Sequence, residues 1–245
     1  MRKILETQKM PNKGDLIFLN MNGLRDEEYR VLKVNGTVAE VLGMTNLTLI
    51  SINYNKESKT GSFNNGTTGQ LYEYSDLDNY LNITWYNTLT ATAKNAIVPK
   101  KITQKMYSWS IDNFDTATYI GTRLLPLPLY GGKYCVTLKD FKYVGNRNVY
   151  ALGVEDVVEY LDNEADNLNP EDIGEMYWYY KFAPVLSDIL GLNGILLNSA
   201  DANNFDRIFY VHDYFNAIVA HDIRDECKIR PSFQIDLSKI VWKRK

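Results

Sequence analysis

The chain offers few residues for nucleophilic or metal chemistry. Its two histidines, His212 and His221, each precede an aspartate, a pair that metal-dependent phosphohydrolases use together with further His and Asp ligands. A third histidine is missing from the sequence. The two cysteines, Cys135 and Cys227, form no Cys-x-x-Cys pair, which disfavours a structural zinc site. We therefore expect a non-enzymatic protein with no cofactor and no catalytic residue.

An oxygen-rich stretch at 198–206 is the best sequence candidate for a cation site. Asp201 and Asp206 are its weak candidate ligands, because Ca²⁺ prefers carboxylate and amide oxygens in loops. The stretch lacks the glycine and the distal glutamate of an EF-hand, and Asx residues are also typical of turns. We expect no bound metal here, and we retain Asn203 and Asn204 as candidate ligand-contacting residues.

Four consecutive aromatic residues provide a second candidate surface. They are Tyr177, Trp178, Tyr179 and Tyr180. On a helix, four neighbouring side chains cannot all face one core, so some of them must point away from it. Exposed aromatic residues are typical of subunit interfaces and ligand platforms. The alternative is that these rings pack beneath a neighbouring insertion.

Composition and charge limit the classes of partner. The chain has 245 residues, of which 45% are hydrophobic, enough for one large domain or two small ones. Its formal net charge of −3 disfavours a nucleic-acid partner. No apolar run approaches the roughly 20 residues that span a bilayer, and the first residues lack the apolar stretch of a signal peptide. We expect synthesis in the cytoplasm and no membrane partner.

Strands dominate the first part of the predicted fold. Residues 1–13 are predicted to be an N-terminal arm. Strands are predicted at 16–19, and at 29–34 and 37–44 around the hairpin dipeptide Asn35-Gly36, with 47–52 continuing the same sheet.

Helices follow the first strands. Ser75 is a predicted helix N-cap, and four apolar residues at helical spacing form one face. They are Leu77, Leu81, Trp85 and Leu89. A second short helical turn is expected from Thr90 to Pro99.

The rest of the chain mixes an insertion, helices and late strands. Residues 103–130 are predicted to be an irregular insertion, and 170–190 a helical segment with a proline at 184. The remaining predicted elements are a strand at 149–152, a helix at 154–161, and strands at 194–198, 207–211, 217–220 and 233–241. Strands, then helices, then strands is an α+β order rather than βαβ alternation.

Several motifs, taken in order, resemble one family. They are GDLI at 14–17, YRVL at 29–32, YSDL and YLN at 74–82, AIV at 96–98, VYALGVEDV at 149–157, and IRPSF with IDLS at 229–238. The set is similar to an uncharacterised domain common in Firmicutes and their phages and prophages, and to C-type-lectin-like folds that include phage tropism determinants. The resemblance implies a single lectin-like α+β domain over 14–245, with mostly antiparallel short strands, two or three helices and a helical insertion.

The last of these motifs has a clear physical role. Pro231 fixes its own φ angle and pushes Arg230 toward extended geometry, from which a guanidinium can bind several carbonyls at once. We therefore predict that Arg230 and Pro231 form a structural latch, and that the segment from Ile229 onward closes the fold.

Three functions are open from the sequence. The first, which the resemblance implies, is a non-enzymatic phage virion protein of the tail, the baseplate or the capsid surface. Its partners would be other virion proteins and further copies of itself. The second is a receptor- or glycan-binding module that serves attachment to the host cell. The third is an enzyme related to the formylglycine-generating proteins, which would require Cys135 and Cys227 to approach each other.

Overall fold

The computed structural model describes residues 9–45, 49–51, 71–109, 135–165, 195–201, 207–212, 217–222 and 226–245. These residues form an α+β fold of two mostly antiparallel sheets with few helices, which confirms the predicted class. The strands are β1 (Leu16–Leu19), β2 (Glu27–Asn35), β3 (Val38–Gly43), β4 (Leu49–Ser51), β5 (Ile97–Val98), β6 (Lys100–Trp109), β7 (Cys135–Arg147), β8 (Ile195–Asp201), β9 (Arg207–His212), β10 (Ala217–Asp222), β11 (Glu226–Lys228), β12 (Ser232–Asp236) and β13 (Trp242–Arg244). The α-helices are α1 (Asp76–Asn79), α2 (Ala91–Ala96) and α3 (Val154–Ala165).

The first sheet is antiparallel throughout, with the strand order β13-β1-β2-β3-β12-β5. The predicted hairpin at Asn35-Gly36 joins β2 to β3, and Gly36 takes the φ of 60° that such a turn needs. The last two strands complete this sheet, so the C-terminal segment closes it as predicted. The single strand predicted at 233–241 is wrong, because Asp236 accepts hydrogen bonds from Ser238 and turns the chain between β12 and β13.

The second sheet has the order β10-β9-β8-β11-β4, with β6 pairing in parallel with β8 and β7 pairing with β6. The prediction that 47–52 continues the first sheet is wrong, because β4 pairs with β11, where Ile50 lies opposite Cys227. Both edges of β3 are already occupied, by β2 and β12, so the following segment must find its partner elsewhere.

The prediction of an irregular insertion at 103–130 is also wrong for the first part of that segment. Residues 103–109 belong to β6, which forms a long antiparallel hairpin with β7. The paired residues of the two strands are 26 positions apart at Trp109 and Cys135 and 47 apart at Lys100 and Arg147, and such non-local pairing leaves little local signal. Residues 110–130 and the predicted helical segment at 170–190 lie outside the described residues.

The helical region follows its predicted pattern with one difference. The Ser75 hydroxyl accepts a hydrogen bond from the backbone N–H of Asp78, which confirms the N-cap, and the four predicted apolar residues are all buried. After α1 the helix widens into a π-helix, Tyr80–Trp85. The apolar residues recur every four positions, which exceeds the 3.6-residue turn of an α-helix, so the wider turn keeps them on one face.

Two other predicted helices are confirmed with shifted ends. Thr90 caps α2 by accepting a hydrogen bond from the N–H of Ala93, and α2 ends where β5 begins, before the predicted stop at Pro99. The helix predicted at 154–161 begins where expected and continues to Ala165.

The start of the described chain lies against the domain. Pro11 is buried, Met10 packs against the core, and the Arg244 guanidinium donates a hydrogen bond to the Met10 carbonyl at 3.1 Å. Residues 9–13 of the predicted arm therefore contact the body, and residues 1–8 lie outside the described part.

Candidate functional site

A central segment, residues 149–154, connects the two sheets. The Tyr150 N–H and carbonyl both pair with Ser232 of β12 at 2.9 Å. The Asn198 N–H of β8 donates to the Leu152 carbonyl, also at 2.9 Å. The sequence predicts a strand at 149–152, and this is wrong, because only Tyr150 forms a β-bridge. We call residues 149–154 the seam.

Side chains supply further hydrogen bonds to the seam. The Asn82 amide donates to the Val149 carbonyl at 2.7 Å and accepts from the Val149 N–H at 3.2 Å. The Tyr72 hydroxyl accepts from the Ala151 N–H at 3.0 Å, and the Asn198 amide donates to the Ala151 carbonyl at 2.7 Å. These buried or partly buried side chains therefore hold the backbone of the seam in place.

Four side chains from separate elements form a charged cluster beside the seam. Lys100 Nζ of β6 lies 2.7 Å from Glu40 Oε1 of β3 and 2.9 Å from Asp156 Oδ1 of α3. The Tyr150 hydroxyl donates to the same Glu40 oxygen at 2.6 Å, and Lys100 Nζ lies 4.9 Å from the centroid of the Tyr150 ring. We call these four residues the Lys100 cluster.

The electrostatics of the Lys100 cluster favour a structural role. Burial alone would lower the pKa of Lys100, but Asp156 and Glu40 together raise it above its usual value. Burial, with Glu40 beside it, raises the pKa of Tyr150 well above its usual value. The amine and the phenol therefore both keep their protons at neutral pH. A general base, in contrast, must be unprotonated so that it can accept a proton.

The sequence pattern indicates only a solvated helix start for Asp156. In the structure its carboxylate caps α3 by accepting from the Gly153 N–H at 2.7 Å, and it also pairs with Lys100. The capping part of this role follows from an acidic residue in a first turn. The ion pair does not, because its partner lies 56 positions earlier in the chain.

A second ion pair fixes the end of β7 to α1. Arg147 Nε lies 2.9 and 3.0 Å from the two carboxylate oxygens of Asp78, which is 4% exposed. Burial raises the pKa of Asp78, and the hydrogen bond and charge of Arg147 oppose that shift. The sequence indicates only that Asp78 lies in the first turn of a helix. It does not indicate Arg147 as the partner of Asp78, because the two residues are 69 positions apart.

The predicted latch lies at the entry to β12. Arg230 is 7% exposed, and burial lowers its pKa to about 10. The Pro231 carbonyl accepts from the Gly43 N–H at 2.9 Å. A Cβ at Gly43 would lie 3.0 Å from the Pro231 ring, so a glycine suits this close approach of the two chain segments.

Most of the other sequence candidates lie outside the residues that the structure describes. Asp201 ends β8, and its backbone alone is described. The remaining candidates lie outside the described part: Tyr177, Trp178, Tyr179, Tyr180, Asn203, Asn204 and Asp206.

One exposed aromatic residue lies on the β6–β7 hairpin. Tyr143 is 54% exposed, and Lys101 Nζ lies 4.9 Å from the centroid of its ring. The other large hydrophobic side chains that are exposed in the described part are aliphatic: Leu24, Ile83 and Val241. No local sequence pattern indicates this surface, since it depends on the unpredicted pairing of β6 with β7.

Two features are absent from the described residues. No group of three or more His, Cys, Asp or Glu side chains in this part could hold a metal ion. Among the same residues, no helix combines the length and the apolar character needed to cross a bilayer.

The two cysteines are far apart along the second sheet. Both β6 and β11 run parallel to β8, with Met106 opposite Ala200 and Lys228 opposite Ile195. Cys135 lies opposite the last residue of β6, whereas Cys227 precedes Lys228 in β11. Allowing for the register shift of β8 between Leu196 and Ala200, the two Cα atoms are offset by about seven residues of strand, or more than about 20 Å. A disulfide needs Cα atoms within about 7 Å.

We expect both cysteines to be free thiols. Because the strand register separates them, unfolding the protein without reductant should release two thiols per chain in an Ellman assay. Intact mass should match the fully reduced chain, and the Cys135→Ser/Cys227→Ser variant should unfold cooperatively like the parent. A mass lower by two hydrogens would contradict this register and would revive the cysteine-dependent enzyme hypothesis.

Comparisons with known proteins give one match. No curated protein and no solved structure matches the chain. Residues 45–124, which include α1, α2, β5 and β6, are similar to the family described as a domain of unknown function, DUF6273.

Proposed function

We propose that the chain is a non-enzymatic structural module of a bacteriophage particle with a C-type-lectin-like fold. The observation that carries this proposal is the use of the central polar groups. The Lys100 cluster, the pair of Arg147 with Asp78, and the amides of Asn82 and Asn198 all bond within the molecule. Such bonds suit a rigid scaffold that presents an outer surface to other proteins.

The placement of the sequence motifs supports the lectin-like part of the proposal. YRVL lies in β2, YSDL contains the cap of α1, VYALGVEDV forms the seam and the start of α3, and IRPSF leads into β12. Each of these four motifs therefore lies in a strand, at a helix start or in the seam rather than in a surface loop. On this proposal the protein is made in the host cytoplasm and enters the tail, the baseplate or the capsid surface, where it contacts other virion proteins and copies of itself.

The test is incorporation into particles. Mass spectrometry of particles purified from lysates of the encoding strain should detect the chain. A variant lacking residues 1–8 should remain folded, because it keeps the contacts of Met10 and Pro11 with the body, and should be lost from the particles if the arm binds a neighbouring subunit. Normal incorporation of this variant would exclude the arm, and absence of the full chain from particles would exclude the virion role.

A receptor- or glycan-binding module is the second candidate function. The exposed ring of Tyr143 favours it, since aromatic faces on a rigid strand can stack on sugars. A glycan array probed with and without Ca²⁺ tests this candidate, and an array without hits would count against it.

A further inference from the structure

The outer face of the β6–β7 hairpin is defined by the alternation of its side chains. Ile102 and Gln104 are 5% and 0% exposed, so they mark the inner face of β6. Lys101 and Thr103 therefore lie on the outer face. Tyr143 lies directly opposite Thr103 in the strand register, and its ring lies beside Lys101 on the same face.

The aromatic ring on this face is held by strands rather than by a loop. Tyr143 lies within the paired region of β7, opposite Thr103, and the adjacent Val144, where the register shifts, is 3% exposed. In the described part, the fully buried aromatic side chains are in the core, whereas more than half of Tyr143 faces solvent. A rigid ring loses little conformational entropy when it binds a ligand.

The hairpin is basic although the chain is acidic. Strands β6 and β7 carry six basic residues and one acidic residue, while the whole chain has a net charge of −3. Lys100 and Arg147, at the base of the hairpin, are paired with acidic side chains of other elements. Lys101, in contrast, is exposed on the outer face beside Tyr143, so its positive charge faces the solvent next to the ring.

Lys101 and Tyr143 together indicate the class of ligand. A sugar ring that stacks on Tyr143 would displace Lys101 Nζ, which now lies 4.9 Å from the ring centroid. The displaced ammonium could then pair with a carboxylate or a phosphate on the same polymer. A neutral sugar would offer no such partner, so the pair selects for an anionic one.

We propose that the outer face of the β6–β7 hairpin binds an anionic polysaccharide, with Tyr143 stacking on a sugar ring and Lys101 pairing with its acidic group. The proposal deepens the glycan-binding candidate and rests on it. It is independent of the virion placement, because incorporation into particles is measured without any glycan.

The experiment measures binding of the full chain to polygalacturonate and to phosphorylated dextran. Uncharged dextran and a single-stranded oligonucleotide serve as comparison ligands. We expect binding to at least one anionic polysaccharide, weakening as salt rises, with no binding to dextran. The preferred polymer shows whether the acidic group is a carboxylate or a phosphate.

Variants test the two named residues. Tyr143→Ala should weaken binding about tenfold. Lys101→Gln should weaken it several-fold and reduce its dependence on salt. Two matched controls should bind like the parent: Ile83→Ala removes a side chain of similar exposure, 58%, and Lys94→Gln removes the lysine 5.2 Å from the Tyr86 ring.

Several results would overturn the proposal. These are full affinity in Tyr143→Ala, equal losses in the control variants, failure to bind either anionic polysaccharide, and binding of the oligonucleotide as tightly as the polysaccharides. The last result would assign the basic hairpin to nucleic acid. Circular dichroism of each variant confirms that a loss of binding is not a loss of fold.

Discussion

Lys100→Met is expected to lower the free energy of unfolding at neutral pH by about 3 kcal/mol, since removing one partner of a largely buried ion pair leaves the other charged. Here two acidic side chains remain, because both Glu40 and Asp156 lie within 3 Å of the lysine amine. Their side chains are 10% and 18% exposed, so water replaces the lost amine poorly. Urea denaturation at pH 7 measures the change.

The loss should shrink as the pH falls. Burial raises the pKa of Asp156 in the folded protein, and Lys100 opposes that shift, so the variant raises this pKa further. A carboxyl whose pKa is higher in the folded than in the unfolded state binds protons on folding, and its contribution to stability grows as pH decreases. Unfolding of the variant at pH 7, 6, 5 and 4 should therefore approach that of the parent at the acidic end.

The neighbouring lysine provides the control for this variant. Lys101 is exposed, and Lys101→Met should change stability by less than about 0.5 kcal/mol at every pH. A Lys100→Met loss that stays constant from pH 7 to pH 4 would mean that the two carboxylates are not the source of the destabilisation.

Phe233→Ala is expected to cost about 3–5 kcal/mol, the usual range for removing a buried aromatic side chain. Phe233 is fully buried in β12, with its ring centroid 5.3 Å from that of Tyr29 in β2 and 5.9 Å from that of Trp85. The cavity would open where β12, the first hairpin and the π-helix meet. Because domains of this size are stable by only about 5–15 kcal/mol, the loss should be visible as a much lower urea midpoint.

Two further variants make this result specific to packing. Phe233→Leu restores most of the volume and should recover much of the loss. Val241→Ala, at a side chain that is 81% exposed five residues after the end of β12, should change stability little. A small effect of Phe233→Ala would contradict the placement of β12 between β3 and β5 in the first sheet.

Local patterns predicted much of the fold. The dipeptide Asn35-Gly36 indicated its hairpin, and Ser75 and Thr90 indicated helix starts. The turn and the two caps all depend on interactions over two to four residues. The four-residue spacing from Leu77 to Leu89 indicated which face would be buried. It did not by itself indicate the π-helix, because residues four positions apart also share one face of an α-helix.

The sequence by itself determined the α+β class, the capped helices and the first hairpin, because each depends on neighbours or on side-chain alternation. The closing role of the residues after Ile229 followed from the resemblance of the motifs, since β12 pairs with β3 and β5, which lie far earlier in the chain. Only the tertiary structure decided the rest. β4 joins the second sheet because β3 has no open edge, and the seam takes hydrogen bonds from side chains such as Asn82 and Asn198 instead of from a strand. The Lys100 cluster and the face around Tyr143 join residues from distant parts of the chain. Their charges and rings have no local partner, so only folding brings them together.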